Sequence, residues 1–364
     1  MKTKYRFFLL LSFFFFSVLF IKTQLGTRRI IIVQSECENY LNQLENTIPV
    51  PAVLIDLELL KNMENSSCTI EKRVKVAVDQ KYSSKHNIWN QSAIDVSYFK
   101  SDDTKDYLEF QTNPIQLIPK NVDYRMIGKL KVPTDAYKFS EFFRRARFVK
   151  CANRTVLREK KEARFNAQDA VDALALLRDE LLSFGMFPFI TDGTLLGWYR
   201  ECSVIPHTQD LDMAVLAWNF NMEYVKYMEY SGVFRFIRKL GRLNDSYEVT
   251  VAPRNIERLL MDVFLMYNVT ENGEKVFFTG GMDEEGNKIR FTYPSYDPWC
   301  VADLLGHWFW VSCTPEDKQK ISYGDKWYED HDTADFPWKV SPRNAKASGK
   351  WTEEQMKDND NFYV

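Results

Sequence analysis

The chain has 364 residues, 45% of them hydrophobic and 27% charged. This length and composition allow two or three folded domains and exclude wholesale disorder. The 48 lysines and arginines nearly balance the 50 aspartates and glutamates, which disfavours a nucleic-acid partner, because proteins that bind polyanions usually carry a basic excess.

The N-terminal segment predicts a membrane anchor. Residues 7–21 carry no charge and follow Lys2, Lys4 and Arg6, so residues 1–6 are expected to stay in the cytosol. An apolar run this short suits the thin membranes of the early secretory pathway. A cleaved signal peptide is the alternative, although no small-x-small cleavage site follows. Either interpretation places the rest of the chain in the lumen, with residues 22–48 as a stem.

Cysteines and glycosylation sequons agree with a lumenal location. No cysteine pair forms a CxxC motif, so the sequence contains no zinc-ribbon or thioredoxin motif, and it leaves the disulfide connectivity open. The six cysteines are Cys37, Cys68, Cys151, Cys202, Cys300 and Cys313. The N-x-S/T sequons are at Asn65, Asn90, Asn153, Asn244 and Asn268.

Two lumenal domains are predicted, 49–133 and 134–364. The first has short apolar stretches broken by polar loops and is expected to be a small strand-rich domain without a chemical motif. In the second, the charged run 158–164 is typical of a solvated helix face. A helix then follows, with Asn166 as its N-cap, apolar residues at three- and four-residue steps, and Gly185 just beyond its C-terminus.

Three features of the second domain indicate chemistry. Residues 187–201 form a predicted strand–turn–helix with Asp192, Gly193 and Thr194 at the turn, where glycine and a helix N-terminus can approach a phosphate. Asp210 and Asp212 begin an apolar strand, and their spacing of two places both carboxylates on one face. Asp262 lies inside the apolar strand 259–267 and is costly there unless paired or metal-bound.

These carboxylates predict Mg²⁺-assisted phosphoryl chemistry, because magnesium binds one or two carboxylates together with substrate phosphates. Their order and spacing match a polymerase-β-like nucleotidyltransferase fold. The fold class is therefore α/β (α+β), with a mixed sheet and flanking helices. The pairs Asp330/Asp332 and Asp358/Asp360 have the same spacing but polar surroundings, and are expected to lie in solvated loops. Arg200 could clamp a phosphate or form a surface salt bridge.

The stretch 192–215 resembles the signature of the fukutin family and, more distantly, of LicD phosphocholine transferases. The resemblance includes GTLLG, Arg200, Ile205-Pro206 and the pair Asp210 and Asp212. It departs from LicD at Thr208 and Gln209, which favours fukutin. It continues at 261–267, at Cys300 and Cys313, at 322–327 and at 336–344, and covers roughly 165–350.

The resemblance implies a single-pass type II protein of the Golgi or endoplasmic reticulum membrane that works with other glycosylation enzymes. It implies transfer of ribitol 5-phosphate from CDP-ribitol to an O-mannosyl glycan on a glycoprotein. Asp210 and Asp212 would hold Mg²⁺ (or Mn²⁺) and the pyrophosphate, and Asp262 would complete the site and accept the acceptor's proton. Phosphate would be cradled by Gly193, Thr194 and Arg200, and the pocket would be lined by Tyr323, Gly324 and Trp327.

Three other functions stay open. A phosphocholine-type transferase would need only a changed pocket. A metal-dependent glycosyltransferase also has a type II anchor and a DxD motif, but there the apolar strand usually runs up to the motif, whereas here it runs away from it. A non-catalytic scaffold for glycosylation enzymes is disfavoured by the three intact aspartates.

Overall fold

The computed structural model describes residues 39–44, 47–64, 73–85, 94–100, 110–111, 118–119, 122–158 and 163–357. The first of two compact units takes in the described residues up to Phe143, apart from Phe110, and the second takes in the rest. Among the described residues, no helix combines the length and apolar character needed to cross a membrane. The predicted anchor (7–21) and Asp358/Asp360 lie outside the described residues.

The elements of the first unit are β1 (Ala52–Leu54), α1 (Leu57–Glu64), β2 (Val74–Asp79), a 3₁₀ helix (Gln80–Lys85), β3 (Ile94–Phe99), β6 (Tyr124–Ile127), β7 (Leu130–Pro133) and α2 (Ala136–Arg144). Five of these strands form a mixed sheet in the order β3–β2–β1–β7–β6. A separate two-stranded sheet contains β4 (Phe110–Gln111) and β5 (Ile118–Pro119). The apolar faces of α1 and α2 contribute Leu60 and Phe139 to the core of this unit.

The second unit contains a large mixed sheet with helices packed against it. Its strands are β8 (Arg147–Phe148), β9 (Phe189–Ile190), β10 (Asp210–Leu216), β11 (Phe234–Arg242), β12 (Asp245–Pro253), β13 (Leu260–Glu271), β14 (Glu274–Met282), β15 (Asn287–Tyr293), β16 (Cys300–Leu304), β17 (His307–Val311) and β18 (Ala345–Lys350). Its helices are α3 (Ala167–Ser183), α4 (Asp192–Glu201), α5 (Glu223–Met228), α6 (Pro315–Tyr323) and α7 (Glu353–Lys357), with 3₁₀ turns at Ala217–Asn219 and Thr333–Asp335.

The main path of this sheet runs β18–β15–β14–β13–β10–β9–β17–β16–β8, and β12 pairs with both β11 and β13. β10 and β13 are parallel, whereas β9 and β10 are antiparallel. The mixed α/β fold is therefore confirmed. Parallel β10 and β13 start at the same edge, so residues near their N-termini become neighbours.

Helix α3 begins and ends as predicted. The side chain of Asn166 accepts hydrogen bonds from the backbone N–H groups of Gln168 and Asp169, which caps the helix. Val171, Leu174 and other apolar residues at three- and four-residue steps are fully buried. Gly185 has φ +77° just past the helix, a conformation that glycine adopts without strain.

Two disulfides hold loops near the sheet, Cys151–Cys202 and Cys300–Cys313. Cys202 ends α4 in the left-handed conformation, with φ +55°. Inside α4, a Cβ on Gly197 would stand 2.8 Å from the backbone oxygen of Ser203. Glycine at this position lets the chain after α4 pass close to the helix on its way into β10.

Candidate functional site

Three carboxylates meet at the start of the two parallel strands. In the register of β10 and β13, Asp212 lies directly opposite Asp262. Asp210 is two residues before Asp212 and therefore on the same face of β10. One carboxylate oxygen from each of the three aspartates lies within 4.8 Å of the others. The structure thus brings together the three aspartates that the sequence singled out.

The aspartates lie in a cavity of about 530 Å³. Its floor is one face of the sheet, because residues two apart on several neighbouring strands line it. These residues are Asp210 and Asp212 on β10, Arg238 and Leu240 on β11, Glu248 on β12, Asp262 and Phe264 on β13, Thr279 and Gly281 on β14, and Phe291 on β15. The cavity therefore extends from the carboxylates across β14 to β15.

The N-terminus of α4 is attached to Asp212. The backbone N–H of Thr194 donates to Asp212 Oδ2 at 3.3 Å, and the backbone N–H of Asp212 donates to Thr194 Oγ1 at 2.6 Å. A Cβ on Gly193 would stand 3.3 Å from Asp212 Oδ2. The predicted turn is therefore the first turn of α4 itself, and it touches the aspartate cluster directly.

Asp192 adds a fourth acid that the sequence interpretation treated only as part of the turn. It is the first residue of α4 and has φ +43°, an unusual backbone conformation for a residue other than glycine. Burial raises the pKa of Asp192 to about 6, although a hydrogen bond from Tyr293 Oη opposes the shift. Its position just before Gly193 was the available signal.

The electrostatics of the cluster favour a bound cation. Burial raises the pKa of Asp212 well above its usual value, and the charges of Asp210, Asp192 and Asp262 raise it further. The pKa of Asp262 is likewise raised by burial and then by Glu248 and Asp210. Carboxylates that repel each other in a buried site are stabilised together by a divalent cation. The oxygen donors fit Mg²⁺ or Mn²⁺.

Asp262 is held from the neighbouring strand β12. Thr250 lies directly opposite Asp262, and its Oγ1 donates to Asp262 Oδ1 at 2.5 Å. Arg238 Nε donates to the same Thr250 oxygen, and Arg238 Nη2 donates to Glu248 Oε1. These contacts orient Asp262 and place the positively charged guanidinium of Arg238 at the cavity floor. Sequence reasoning missed all three supporting residues, although Glu248 and Thr250 alternate with apolar residues in β12.

The predicted phosphate residue Arg200 lies in a buried ion-pair cluster. Its Nη2 contacts Glu201 Oε1 at 2.9 Å and Asp330 Oδ1 at 3.0 Å, and its side chain is only 2% exposed. Arg158 pairs with the same two acids, and His207 Nε2 lies 3.2 Å from Asp330 Oδ2. Arg200 lines the cavity while these contacts fix its guanidinium.

This cluster corrects two expectations. Asp330 was expected in a solvated loop, but its side chain is 11% exposed and paired with Arg158 and Arg200. Arg158 was expected on a solvated helix face, but it lies outside any helix and is mostly buried against these acids. Both residues lie in polar stretches of sequence, which suggested solvent exposure. They can be buried because their charges pair with opposite charges from other parts of the chain.

The residues 323–327 contribute unequally to the cavity. Tyr323 and Trp327 line it, and Trp327 packs 5.2 Å from the ring of Tyr199. Gly324 is not among the described residues that line the cavity. It follows α6 with φ +82°, and a Cβ there would stand 2.3 Å from Arg343 Cζ.

Comparisons with known proteins follow the division of the chain. Residues 185–314 match the family model for the nucleotidyltransferase domain of LicD/FKTN/FKRP, and residues 36–150 match that for the W02B3.4-like N-terminal domain. Two proteins of Caenorhabditis elegans, W02B3.4 and T07A5.1, are 43% and 38% identical over 91% and 90% of this chain and 86% and 88% of their own. The mouse protein named "Ribitol-5-phosphate transferase FKTN" is 26% identical over 60% of this chain and 48% of its own.

The chain belongs to the fukutin-like family. In this fukutin-like chain, the matched stretch 185–314 contains Asp192, Asp210, Asp212 and Asp262. It ends before α6, and therefore before Tyr323 at the end of that helix, Trp327 and the cavity residues further along the chain. The family model therefore covers the carboxylate end of the cavity.

Proposed function

We propose that this fukutin-like chain transfers a polyol phosphate, with ribitol 5-phosphate as the first candidate, from a CDP-activated donor to a protein-linked glycan. The observation that carries the proposal is the cluster of Asp210, Asp212 and Asp262 in a cavity beside the N-terminus of α4. The name of the FKTN relatives supports ribitol phosphate as the transferred group.

Asp210, Asp212 and Asp262 would hold Mg²⁺ or Mn²⁺. The bound cation would offset the negative charge of the donor pyrophosphate and of the carboxylates around it. The carboxylates support this assignment, because burial and then the charges of neighbouring acids raise the pKa values of Asp212 and Asp262, and a bound cation would favour their ionised forms. The N-terminus of α4 adds the positive end of a helix dipole on the same side of the cavity.

The reaction joins an acceptor hydroxyl to the donor. The hydroxyl oxygen forms a bond to the phosphorus that carries the polyol, the bond from that phosphorus to CMP breaks, and CMP leaves with the electron pair. Ionised Asp262 accepts the proton of the acceptor hydroxyl, and the hydrogen bond from Thr250 holds Asp262 Oδ1 in place. Arg238, which pairs with Glu248, would supply positive charge in the cavity where the donor phosphates bind.

We also propose that the chain acts in the lumen of the Golgi or endoplasmic reticulum and is attached to the membrane through residues 7–21. Two disulfides between described cysteines support an oxidising compartment. Exposed sequon asparagines at Asn153, Asn244 and Asn268 are consistent with contact with the glycosylation machinery. Association with other glycosylation enzymes belongs to the same proposal.

A donor screen tests the substrate class. The purified full chain is incubated with Mg²⁺, a glycan acceptor and, separately, CDP-ribitol, CDP-choline or a set of UDP-sugars, and nucleotide release is followed by mass spectrometry. Release of CMP from CDP-ribitol is expected. Release from CDP-choline alone would reassign the transferred group. Release of UDP from a UDP-sugar would indicate a glycosyltransferase, and no nucleotide release from any donor would favour a non-catalytic scaffold.

A further inference from the structure

The cavity contains polar groups that the phosphotransfer proposal does not use. Asn344 is 6% exposed, and neither Oδ1 nor Nδ2 of its side chain has a hydrogen-bond partner among the described residues. Its backbone oxygen accepts from the backbone N–H of Thr292 at 3.1 Å, so the residue is tied to the end of β15. Thr279 is 1% exposed, and its Oγ1 likewise has no partner in the described part of the chain.

Leaving such groups buried and unpaired costs free energy, so each one needs an explanation. Both residues line the cavity that contains the aspartate cluster. The amide of Asn344 can donate and accept, and so can the hydroxyl of Thr279. A ligand that satisfies all of these groups must itself carry several groups that both donate and accept hydrogen bonds, as neighbouring hydroxyls do.

An aromatic face lies on the same wall. Trp338 is 43% exposed and lines the cavity. Its ring lies against Gly281, where a Cβ would stand 3.1 Å from Trp338 Cζ3, and 6.4 Å from the ring of Phe291. Only a residue without a side chain leaves the indole this close to β14.

Strand geometry places these features together. Thr279 and Gly281 are two residues apart on β14 and so share one face. Phe291 lies directly opposite Thr279 in the β14–β15 pairing, and Trp338 packs on Gly281 and near Phe291. The β14–β15 end of the cavity therefore combines a partly exposed indole with buried neutral donors and acceptors. The charged carboxylates lie at the other end, on β10 and β13.

We infer that Thr279, Asn344 and Trp338 form a carbohydrate subsite that binds a sugar ring of the acceptor next to the phosphotransfer centre. The C–H face of a pyranose packs on an indole, and its hydroxyls pair with the amide and the threonine oxygen. This inference rests on the proposed function, which needs a polyhydroxylated acceptor. The polyol of the donor shares the hydroxyl chemistry but offers no flat ring to Trp338.

Binding measurements show whether the subsite binds the sugar ring of the acceptor or the polyol of the donor, and they do not require turnover. Methyl glycosides of hexoses and N-acetylhexosamines, free ribitol and CDP are titrated separately into the full chain and followed by NMR or calorimetry. Trp338→Ala and Thr279→Val are each compared with the parent chain. The matched controls are Trp218→Ala and Thr270→Val, which change exposed residues of the same types outside the described lining of the cavity.

Methyl glycosides are expected to bind the parent chain, and each cavity variant is expected to weaken that binding by about tenfold, while CDP binding stays unchanged. Thr279→Val should not lower the melting temperature, because the hydroxyl it removes makes no hydrogen bond with the described residues. A loss of stability instead would assign Thr279 a structural role and overturn its place in the subsite.

The remaining outcomes are decisive. Unchanged glycoside binding in both variants overturns the subsite. Loss of ribitol binding with unchanged glycoside binding overturns the acceptor assignment in favour of the donor polyol. Glycoside binding that depends on Trp338 in a chain that turns over no CDP donor upholds the subsite and contradicts the proposed function. Turnover of CDP-ribitol without glycoside binding that depends on Trp338 upholds the proposed function and contradicts the subsite.

Discussion

Asp212 and Asp262 lie directly opposite each other on the parallel strands β10 and β13, and both are more than nine-tenths buried. Two ionised carboxylates in this arrangement repel each other, and burial removes the water that would otherwise screen them. The ionised pair is therefore a source of instability in the folded chain unless a cation binds between the strands.

Replacing Asp212 with Asn should stabilise the cation-free chain at neutral pH, because it removes a carboxylate whose pKa is raised by burial and then by the charges of Asp210, Asp192 and Asp262. The folded state binds more protons than the unfolded state above pH ~4, so the stability of the parent chain should fall as the pH rises through the raised pKa values. Chemical denaturation in EDTA, at a series of pH values from about 4 upward, measures the effect of the substitution and the pH dependence of the parent chain. Asp335→Asn, at an exposed residue, is the control, and a destabilised Asp212→Asn would contradict the expectation.

Added Mg²⁺ should raise the melting temperature of the parent chain. At 100 times the dissociation constant, the gain in unfolding free energy is about 2.7 kcal/mol. The gain should shrink below pH 6, because protons compete for carboxylates such as Asp192, whose pKa burial raises to about 6. The double variant Asp210→Asn/Asp212→Asn should show no gain, and an equal gain in that variant would place the cation elsewhere.

Thr250→Val should weaken cation binding through its effect on Asp262. The valine keeps the shape of the side chain but removes the hydroxyl that donates to Asp262 Oδ1. Loss of a group that orients a ligand typically lowers metal affinity by about 10- to 100-fold. Calorimetric titration with Mn²⁺ measures this change, with the exposed Thr270→Val as control. Identical affinities would show that Thr250 does not orient the carboxylate.

Asp330→Asn should destabilise the chain by about 3–5 kcal/mol, the usual cost of breaking a buried ion pair. Burial alone would raise the pKa of Asp330, but the hydrogen bond and charge of Arg158, with Arg200, lower it overall. The stability that this pair contributes is therefore present above the ordinary carboxyl pKa and is lost as the pH falls below it. Chemical denaturation measures the change, and Glu223→Gln in the exposed pair with Lys226 is the control. Equal effects of the two substitutions would argue against a buried cluster.

The proposed lumenal location predicts N-linked glycans. In a eukaryotic secretory system, glycosidase treatment of the full chain should shift its mobility, and Asn153→Gln, Asn244→Gln and Asn268→Gln should each be tested for a lost increment. The three asparagines are exposed. A full chain that carries no glycan and stays outside membrane fractions would contradict the proposed location.

The sequence predicted the carboxylate cluster because its signals are local and the fold is regular. Asp210 and Asp212 share a strand face by their spacing alone, and a charge inside the apolar strand around Asp262 required a partner. The helix cap at Asn166 and the glycine at Gly185 depend on neighbouring backbone and were therefore also predictable.

Features that depend on contacts distant in sequence were missed. Asp330 meets Arg158 and Arg200 only in the folded chain, so its polar surroundings suggested solvent. The role of Thr250 follows from the pairing of β12 with β13, which the sequence does not specify. Likewise, the closeness of Trp338 to Gly281 joins segments more than 50 residues apart.

Turnover of CDP-ribitol by the purified full chain with Mg²⁺ and a glycan acceptor tests the central claim most directly. Mass spectrometry would follow released CMP and the phosphodiester product for the parent chain and for Asp210→Asn/Asp212→Asn. We expect product from the parent chain and a loss of at least about 10²-fold in the double variant, which should still unfold cooperatively. Turnover that is unchanged in the double variant would contradict the role assigned to the aspartate cluster.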